Sequence, residues 1–99
     1  MNLRPTELHT VKNILMRHVP EFEVWAFGSR VHGRQLKPHS DLDLAIMTRD
    51  PLPLTRFLDL KAAFSDSDLP YRVDVIDWAS TEPRFRRLVE SCHEVLAAP

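Results

Sequence analysis

Short β-prone runs alternate with amphipathic helical stretches along the chain, and this alternation restricts the fold more than any other feature. Apolar residues recur at helical spacing over about residues 5–18, 53–67 and 81–96. The β-prone runs cover 23–27, 42–48 and 72–77. With a short second helix after Gly28, the predicted order is α-β-α-β-α-β-α. This order predicts an α/β (α+β) fold with a small β-sheet covered by helices, and leaves the order and direction of the strands open.

Local signals define the ends of the helices. Thr6 and Thr81 are predicted to cap the first and last helices, and Pro20 ends the first one. The last helix has apolar residues at three- and four-residue steps, namely Phe85, Leu88, Val89, Cys92 and Leu96. We therefore expect Cys92 to lie in the core. The polar, proline-containing stretch 34–40 is predicted to be a loop.

Length and composition predict one domain, residues 1–99. The sequence has 99 residues, of which 43% are hydrophobic and 27% charged, without a break in composition. The net charge of −1 provides no general attraction to nucleic acid, so we expect no direct nucleic-acid binding. The chain has one cysteine, no amino-terminal apolar run and no stretch of about 20 apolar residues. These features predict a cytoplasmic protein that does not contact a membrane.

Three carboxylates follow the alternation of two predicted strands. Asp41 and Asp43 are two residues apart, so their side chains point to the same face with Cα atoms about 7 Å apart. Asp74 lies in the third strand, opposite in direction to Val73 and Val75. If the two strands are neighbours and share one core, the three carboxylates converge on the other face.

Converging carboxylates repel one another and favour a bound cation. Hard oxygen ligands without a Cys/His cluster favour Mg²⁺, with Mn²⁺ as a substitute, and two ions are expected in a two-metal site. We predict Asp41, Asp43 and Asp74 as metal ligands and catalytic residues, with Asp74 binding the first ion or taking the proton of the nucleophile. The other interpretation is structural: Asp41 caps a turn and Asp74 faces solvent.

Gly28-Ser29 lies where a predicted strand meets the start of a helix. Backbone N–H groups at such a position bind anions, and glycine lets a phosphate approach the backbone closely. The Ser29 hydroxyl is a further donor to a β- or γ-phosphate oxygen. An isolated Gly-Ser pair is also typical of a simple helix N-cap.

Taken together, GSRVHGRQLKPHSDLDLAI at residues 28–46 resembles the signature of the nucleotidyltransferase superfamily related to DNA polymerase β. The small size and the later VDVID resemble the minimal nucleotidyltransferases (MNT), antitoxin-type proteins that are partners of HEPN toxins. The resemblance implies the polymerase β-like nucleotidyltransferase fold, with a small mixed β-sheet covered by helices. It also implies that Gly28 and Ser29 bind the nucleoside triphosphate, that Asp41 and Asp43 coordinate Mg²⁺, and that Asp74 completes the site. His32 stands where the family often has arginine.

The resemblance implies transfer of a nucleoside monophosphate, most plausibly AMP from ATP, to a hydroxyl of a protein acceptor. The implied acceptor is a tyrosine of a cognate HEPN ribonuclease toxin, with the protein working as an antitoxin in a homo- or hetero-oligomer. The alternative is a catalytically silent antitoxin that neutralises its partner by masking it. A nucleic-acid-binding domain fits poorly with the neutral charge.

Cations and aromatic residues near these motifs receive no catalytic role from the sequence. Arg30, Arg34 and Lys37 are predicted to be solvated cations. Trp25, Phe27 and Trp78 are expected to pack in the core or against a partner rather than to stack on bases.

Overall fold

The computed structural model describes residues 1–33 and 40–99. Its elements are α1 (Pro5–His18), β1 (Val24–Phe27), α2 (Ser29–His32), β2 (Leu42–Ile46), α3 (Leu54–Ser65), β3 (Val73–Asp77), a 3₁₀ turn (Trp78–Ser80), α4 (Pro83–Ser91) and β4 (His93–Ala97). The predicted order is confirmed from α1 through β3. The predicted loop 34–40 lies outside the described residues except for Ser40, as do Arg34 and Lys37.

The four strands form one mixed sheet in the order β3-β2-β1-β4. β1 is antiparallel to both β2 and β4, whereas β2 and β3 are parallel. The parallel pair requires a crossover connection, which α3 provides. The register places Asp43 directly opposite Asp74.

Helices α1 and α3 cover one face of the sheet and form the core with it. Val11 and Leu15 of α1 and Leu60 of α3 pack against buried strand residues of this face. The strand residues that they cover are Val24, Ala26, Leu42, Leu44, Ile46, Val75 and Leu96. Side chains alternate along each strand, so Trp25, Asp43 and Asp74 lie on the opposite face, which we call the carboxylate face.

The prediction of one helix over 81–96 is wrong beyond Ser91. The chain turns at Cys92, whose backbone is extended with φ −155°, and residues 93–97 form β4 on the edge of β1. Leu96 is buried from this strand, whereas Leu88 is 64% exposed, and Cys92 is only partly buried. Pairing with β1 forms backbone hydrogen bonds between the two strands and buries Leu96. These tertiary contacts outweigh the local preference for a helix that the spacing of apolar residues indicates.

Both predicted threonine caps are displaced by prolines at the first helical position. The N-caps are Arg4 and Glu82, each followed by a proline that starts the helix. The Arg4 backbone N–H donates to the Glu7 carboxylate at 3.0 Å, and the Thr81 hydroxyl donates to the Asp77 carbonyl at 2.8 Å.

Across residues 1–33 and 40–99, no helix is both long and apolar enough to span a membrane.

Candidate active site

The Gly28-Ser29 turn lies against Asp43. Gly28 has φ +81° and ψ −163°, a conformation that is essentially restricted to glycine. A Cβ atom at this position would lie 2.2 Å from the Asp43 Oδ2 atom. Only glycine therefore allows the chain to leave β1 here, begin α2 at Ser29, and keep the turn in contact with the carboxylate.

The structure brings the three predicted carboxylates together at one end of the sheet. Asp43 and Asp74 are partners on neighbouring strands, and Asp41 lies just before β2, two residues earlier on the same side. Burial, followed by the charges of Asp74 and Asp41, raises the pKa of Asp43 to about 6. The carboxylates therefore interact electrostatically across the two strands.

Arg72 is a member of this site that was not predicted from the sequence. Its Nε atom lies 3.6 Å from the Asp41 Oδ2 atom, and its Nη2 atom lies 3.2 Å from the Asp74 Oδ2 atom. The side chain is 73% exposed, and the two carboxylates raise the pKa of its guanidinium. The spacing Arg72-x-Asp74 was a sequence signal for this contact, because residues two apart on a strand share a face.

Arg30 is buried, so its prediction as a solvated cation is wrong. Its Nε atom donates to the Ser40 carbonyl at 2.8 Å, and its Nη1 atom donates to the Asn2 carbonyl at 2.9 Å. Its guanidinium carbon lies 3.8 Å from the centre of the Tyr71 ring. The Arg30 side chain thus connects α2 with Ser40, next to Asp41, and with Tyr71, next to Arg72.

Tyr71 is itself held on the far side by α1. Its hydroxyl donates to the Glu7 carboxylate at 3.2 Å. Burial, followed by the charge of Glu7, raises the pKa of Tyr71 to about 12. The tyrosine is therefore neutral at physiological pH and serves as a packing partner for Arg30.

Aromatic side chains pack against one another over the β1 side of the carboxylate face. The Trp25 ring stacks on His93 at 3.8 Å and meets Trp78 edge-on at 5.4 Å. Phe27 meets Phe85 of α4 at 5.8 Å. These contacts place α4 beside the strand that leads into Gly28.

The donor set suits a hard divalent cation. Among the residues that the structure describes, no three His, Cys, Asp or Glu side chains are already gathered as a ligand set. Arg72 contacts two of the three candidate ligands instead. Burial and the charges of Asp74 and Asp41 raise the pKa of Asp43, so the three carboxylates offer oxygen ligands whose repulsion a bound cation would relieve.

Comparison with known proteins relates this chain to one family. The model of the polymerase beta nucleotidyltransferase family matches residues 9–98. The chain is 48% identical over 96 residues to the probable protein adenylyltransferase MntA of Haemophilus influenzae, which covers 97% of this chain and 83% of that protein.

Solved structures show the same fold. A toxin-antitoxin structure with AMP-PNP has a TM-score of 0.76 and 24% identity, covering 93% of this chain and 73% of that one. The MNT antitoxin complex with tri-AMPylated HEPN toxin from Shewanella oneidensis has a TM-score of 0.67 and 20% identity, covering 93% and 70%. Since the family model and the Haemophilus relative both extend over nearly the whole chain, this protein belongs to the polymerase β nucleotidyltransferase family.

Proposed function

We propose that residues 1–99 form a single Mg²⁺-dependent protein adenylyltransferase domain that acts as an antitoxin. The observation that carries this proposal is the pairing of Asp43 with Asp74 directly beside the Gly28-Ser29 turn. This arrangement places a candidate phosphate-binding turn next to a pair of acidic ligands. Binding of a nucleoside triphosphate together with its metal ion uses both of these features.

Asp74 has two roles in the proposed reaction, and the other site residues have one each. The Gly28 and Ser29 backbone N–H groups and the Ser29 hydroxyl hold the triphosphate of ATP. Asp41, Asp43 and Asp74 would hold Mg²⁺, as two ions with Mn²⁺ as a substitute, and this metal would supply positive charge to neutralise the phosphates. Asp74, on the outer strand, also receives the proton of the acceptor hydroxyl.

The proposed step is an in-line displacement at the α-phosphorus. The acceptor oxygen forms a new bond to the α-phosphorus, and the bond from this phosphorus to the oxygen bridging the α- and β-phosphates breaks. Pyrophosphate leaves with the electron pair, and the hydroxyl proton passes to the Asp74 carboxylate. The protein contributes position and charge rather than covalent chemistry.

The acceptor that we propose is a tyrosine of a cognate HEPN toxin. The Haemophilus relative is named as a probable protein adenylyltransferase, and the Shewanella neighbour is an MNT antitoxin in complex with an AMPylated HEPN toxin. These similarities support a protein acceptor for this chain.

The test is to incubate the purified protein with Mg²⁺, labelled ATP and a candidate HEPN partner and to read label transfer by mass spectrometry. We expect label on the partner with the wild type and with the control Asp50→Asn, because Asp50 is exposed and lies beyond the far end of β2. We expect no label with Asp41→Asn/Asp43→Asn. If all proteins bind the partner but none transfers label from any of the four nucleoside triphosphates, the protein is a masking antitoxin instead.

A further inference from the structure

The outer edge of β3 has backbone groups that the sheet does not use. The Leu42 N–H donates to the Arg72 carbonyl at 2.9 Å, so Arg72 and, by alternation, Asp74 direct their backbone groups toward β2. The N–H and C=O groups of Val73 and Val75 therefore point outward. Within residues 1–33 and 40–99, no strand pairs with this side of β3.

Two cavities lie between α3 and β3 along this edge, and we call them together the groove. A cavity of about 550 Å³ near the candidate active site is lined by Lys61, Tyr71, Arg72 and Asp74, among others. A second cavity of about 410 Å³ lies further along β3 and is lined by residues that include Leu54, Phe57 and Val75. The first cavity shares Arg72 and Asp74 with the candidate active site, so the groove and the site are continuous.

The rim of the groove on α3 is apolar and exposed. Leu54 is 69% exposed and Leu58, one helical turn later, is 50% exposed. Two neighbouring exposed leucines beside an unpaired strand edge are unfavourable in water, and natural proteins commonly cover such edges. This surface is therefore suited to a polypeptide that makes both backbone and apolar contacts.

The order of the strands indicates the side from which the acceptor arrives. Gly28 follows β1, Asp43 lies on β2 and Asp74 lies on β3, so the three groups occupy successive strands about 4.8 Å apart. In an in-line displacement the attacking and leaving oxygens lie on opposite sides of the phosphorus. If pyrophosphate leaves at the Gly28-Ser29 turn, the acceptor oxygen enters from beyond Asp74, at the outer edge of β3.

We propose that the protein acceptor binds this edge as an added extended strand, and this inference rests on the proposed function. The acceptor residue opposite Asp74 would share its face of the sheet, with Cβ atoms about 5 Å apart. Its hydroxyl attacks the α-phosphorus, pyrophosphate leaves, and the proton passes to Asp74. The residues on either side of it point toward α3, so the preferred segment is a hydroxyl residue between two apolar ones.

The first measurement compares the kinetics of the double variant Leu54→Asp/Leu58→Asp with those of the control Met16→Asp. Met16 is 71% exposed but lies on α1, away from the groove. For the double variant we expect the KM for the acceptor to rise about tenfold or more, because two apolar contacts become charged. Its kcat and its affinity for ATP should stay within about twofold of wild type. Met16→Asp should match wild type in all three.

The second measurement uses the wild-type complex and needs no variant. We expect amide hydrogen exchange at Val73 and Val75 to slow when the acceptor binds, because an added strand accepts these hydrogen bonds. Amides on the outer edge of β4 should not change.

The outcomes separate this inference from the proposed function. If the wild type labels its acceptor, but the double variant keeps the wild-type KM or Val73 and Val75 show no protection, then strand addition at β3 is wrong while adenylyl transfer stands. If the wild type transfers no label, both proposals are overturned.

Discussion

At the scale of single residues, Asp43 bears the largest electrostatic cost in the site. Its carboxyl is partly buried between two other carboxylates, and its pKa rises from the ordinary 3.8 to about 6. The folded protein therefore binds this proton more tightly than the unfolded chain does between about pH 4 and pH 6. The stability that this proton confers is present below about pH 4 and is lost as the pH rises through 6.

The substitution Asp43→Asn should remove this loss, because asparagine keeps the shape without the charge. Relative to wild type, the free energy of unfolding of the variant should improve by about 1–2 kcal/mol between pH 4 and pH 7.5 for a partly exposed carboxyl. Urea unfolding at four pH values in the presence of EDTA measures the difference. Parallel pH curves for the two proteins would contradict the raised pKa.

The substitution Gly28→Ala should damage the site more than Gly33→Ala. At Gly28 a Cβ atom meets the Asp43 carboxylate, whereas at Gly33, which has φ +75°, no atom of residues 1–33 and 40–99 lies within 4 Å of the added Cβ. We expect Gly28→Ala to cost about 3 kcal/mol of stability and to slow transfer about 100-fold. Gly33→Ala should cost about 1 kcal/mol. Denaturant unfolding and single-turnover transfer assays measure both effects, and equal effects of the two substitutions would argue against the close approach of the turn to Asp43.

At the scale of elements, Arg30 links three segments that carry the site. Its hydrogen bonds to the Ser40 and Asn2 carbonyls and its contact with the Tyr71 ring connect α2 to the entrances of β2 and β3. Arg56 is a matched arginine elsewhere, because it donates to the His18 carbonyl and joins α3 to the end of α1. Arg30 contacts segments that carry the candidate site, whereas Arg56 contacts the end of α1.

Arg30→Met and Arg56→Met should both lower stability, by about 3 and about 1 kcal/mol respectively, since the first leaves two carbonyl oxygens and the second leaves one without a charged donor. Only Arg30→Met should weaken Mn²⁺ binding, by about tenfold or more, because the residues that orient metal ligands tune metal affinity. Electron paramagnetic resonance titration with Mn²⁺ distinguishes the two. Unchanged Mn²⁺ affinity in Arg30→Met would show that Arg30 contributes to packing and does not position the metal ligands.

The boundary between α4 and β4 can be tested with two leucines. Leu96→Ala should cost about 3 kcal/mol, because Leu96 is 5% exposed within the core. Leu88→Ala should change stability by less than about 0.5 kcal/mol, because this side chain is mostly exposed. A continuous helix through residue 96 would instead make both leucines equally important. Thermal and urea unfolding of the two variants decide between these arrangements.

At the scale of the whole molecule, the core is formed on one face of the sheet while the carboxylates lie on the other. A metal ion that binds only the folded arrangement therefore stabilises the entire domain by mass action. At 100 times its dissociation constant, Mg²⁺ should add about 2.7 kcal/mol and raise the melting temperature by about 10 °C. Asp41→Asn/Asp43→Asn should show no such rise in a thermal melt at matched ionic strength. A rise in this variant equal to that of wild type would place the ion elsewhere.

The fold and the candidate site could be predicted from the sequence wherever the signal is local. The alternation of side chains along a strand places Asp41 and Asp43 on one side, and a glycine at a strand end indicates a turn that other residues cannot adopt. These patterns also predicted α1, β1, β2, α3 and β3 nearly as observed. Their physical causes act over a few residues, so they are visible without knowledge of the rest of the chain.

Tertiary structure alone decided the features that depend on which segments meet. The spacing of apolar residues near residue 96 fits a helix, yet residues 93–97 form β4. This strand pairs with the edge of β1 and buries Leu96 in the core. Likewise, nothing beside Arg30 in the sequence predicts its burial, because its partners are distant residues at 2, 40 and 71. Strand order and buried polar contacts arise from long-range packing. Local sequence therefore predicts the parts of this site, and the sheet alone brings them into register.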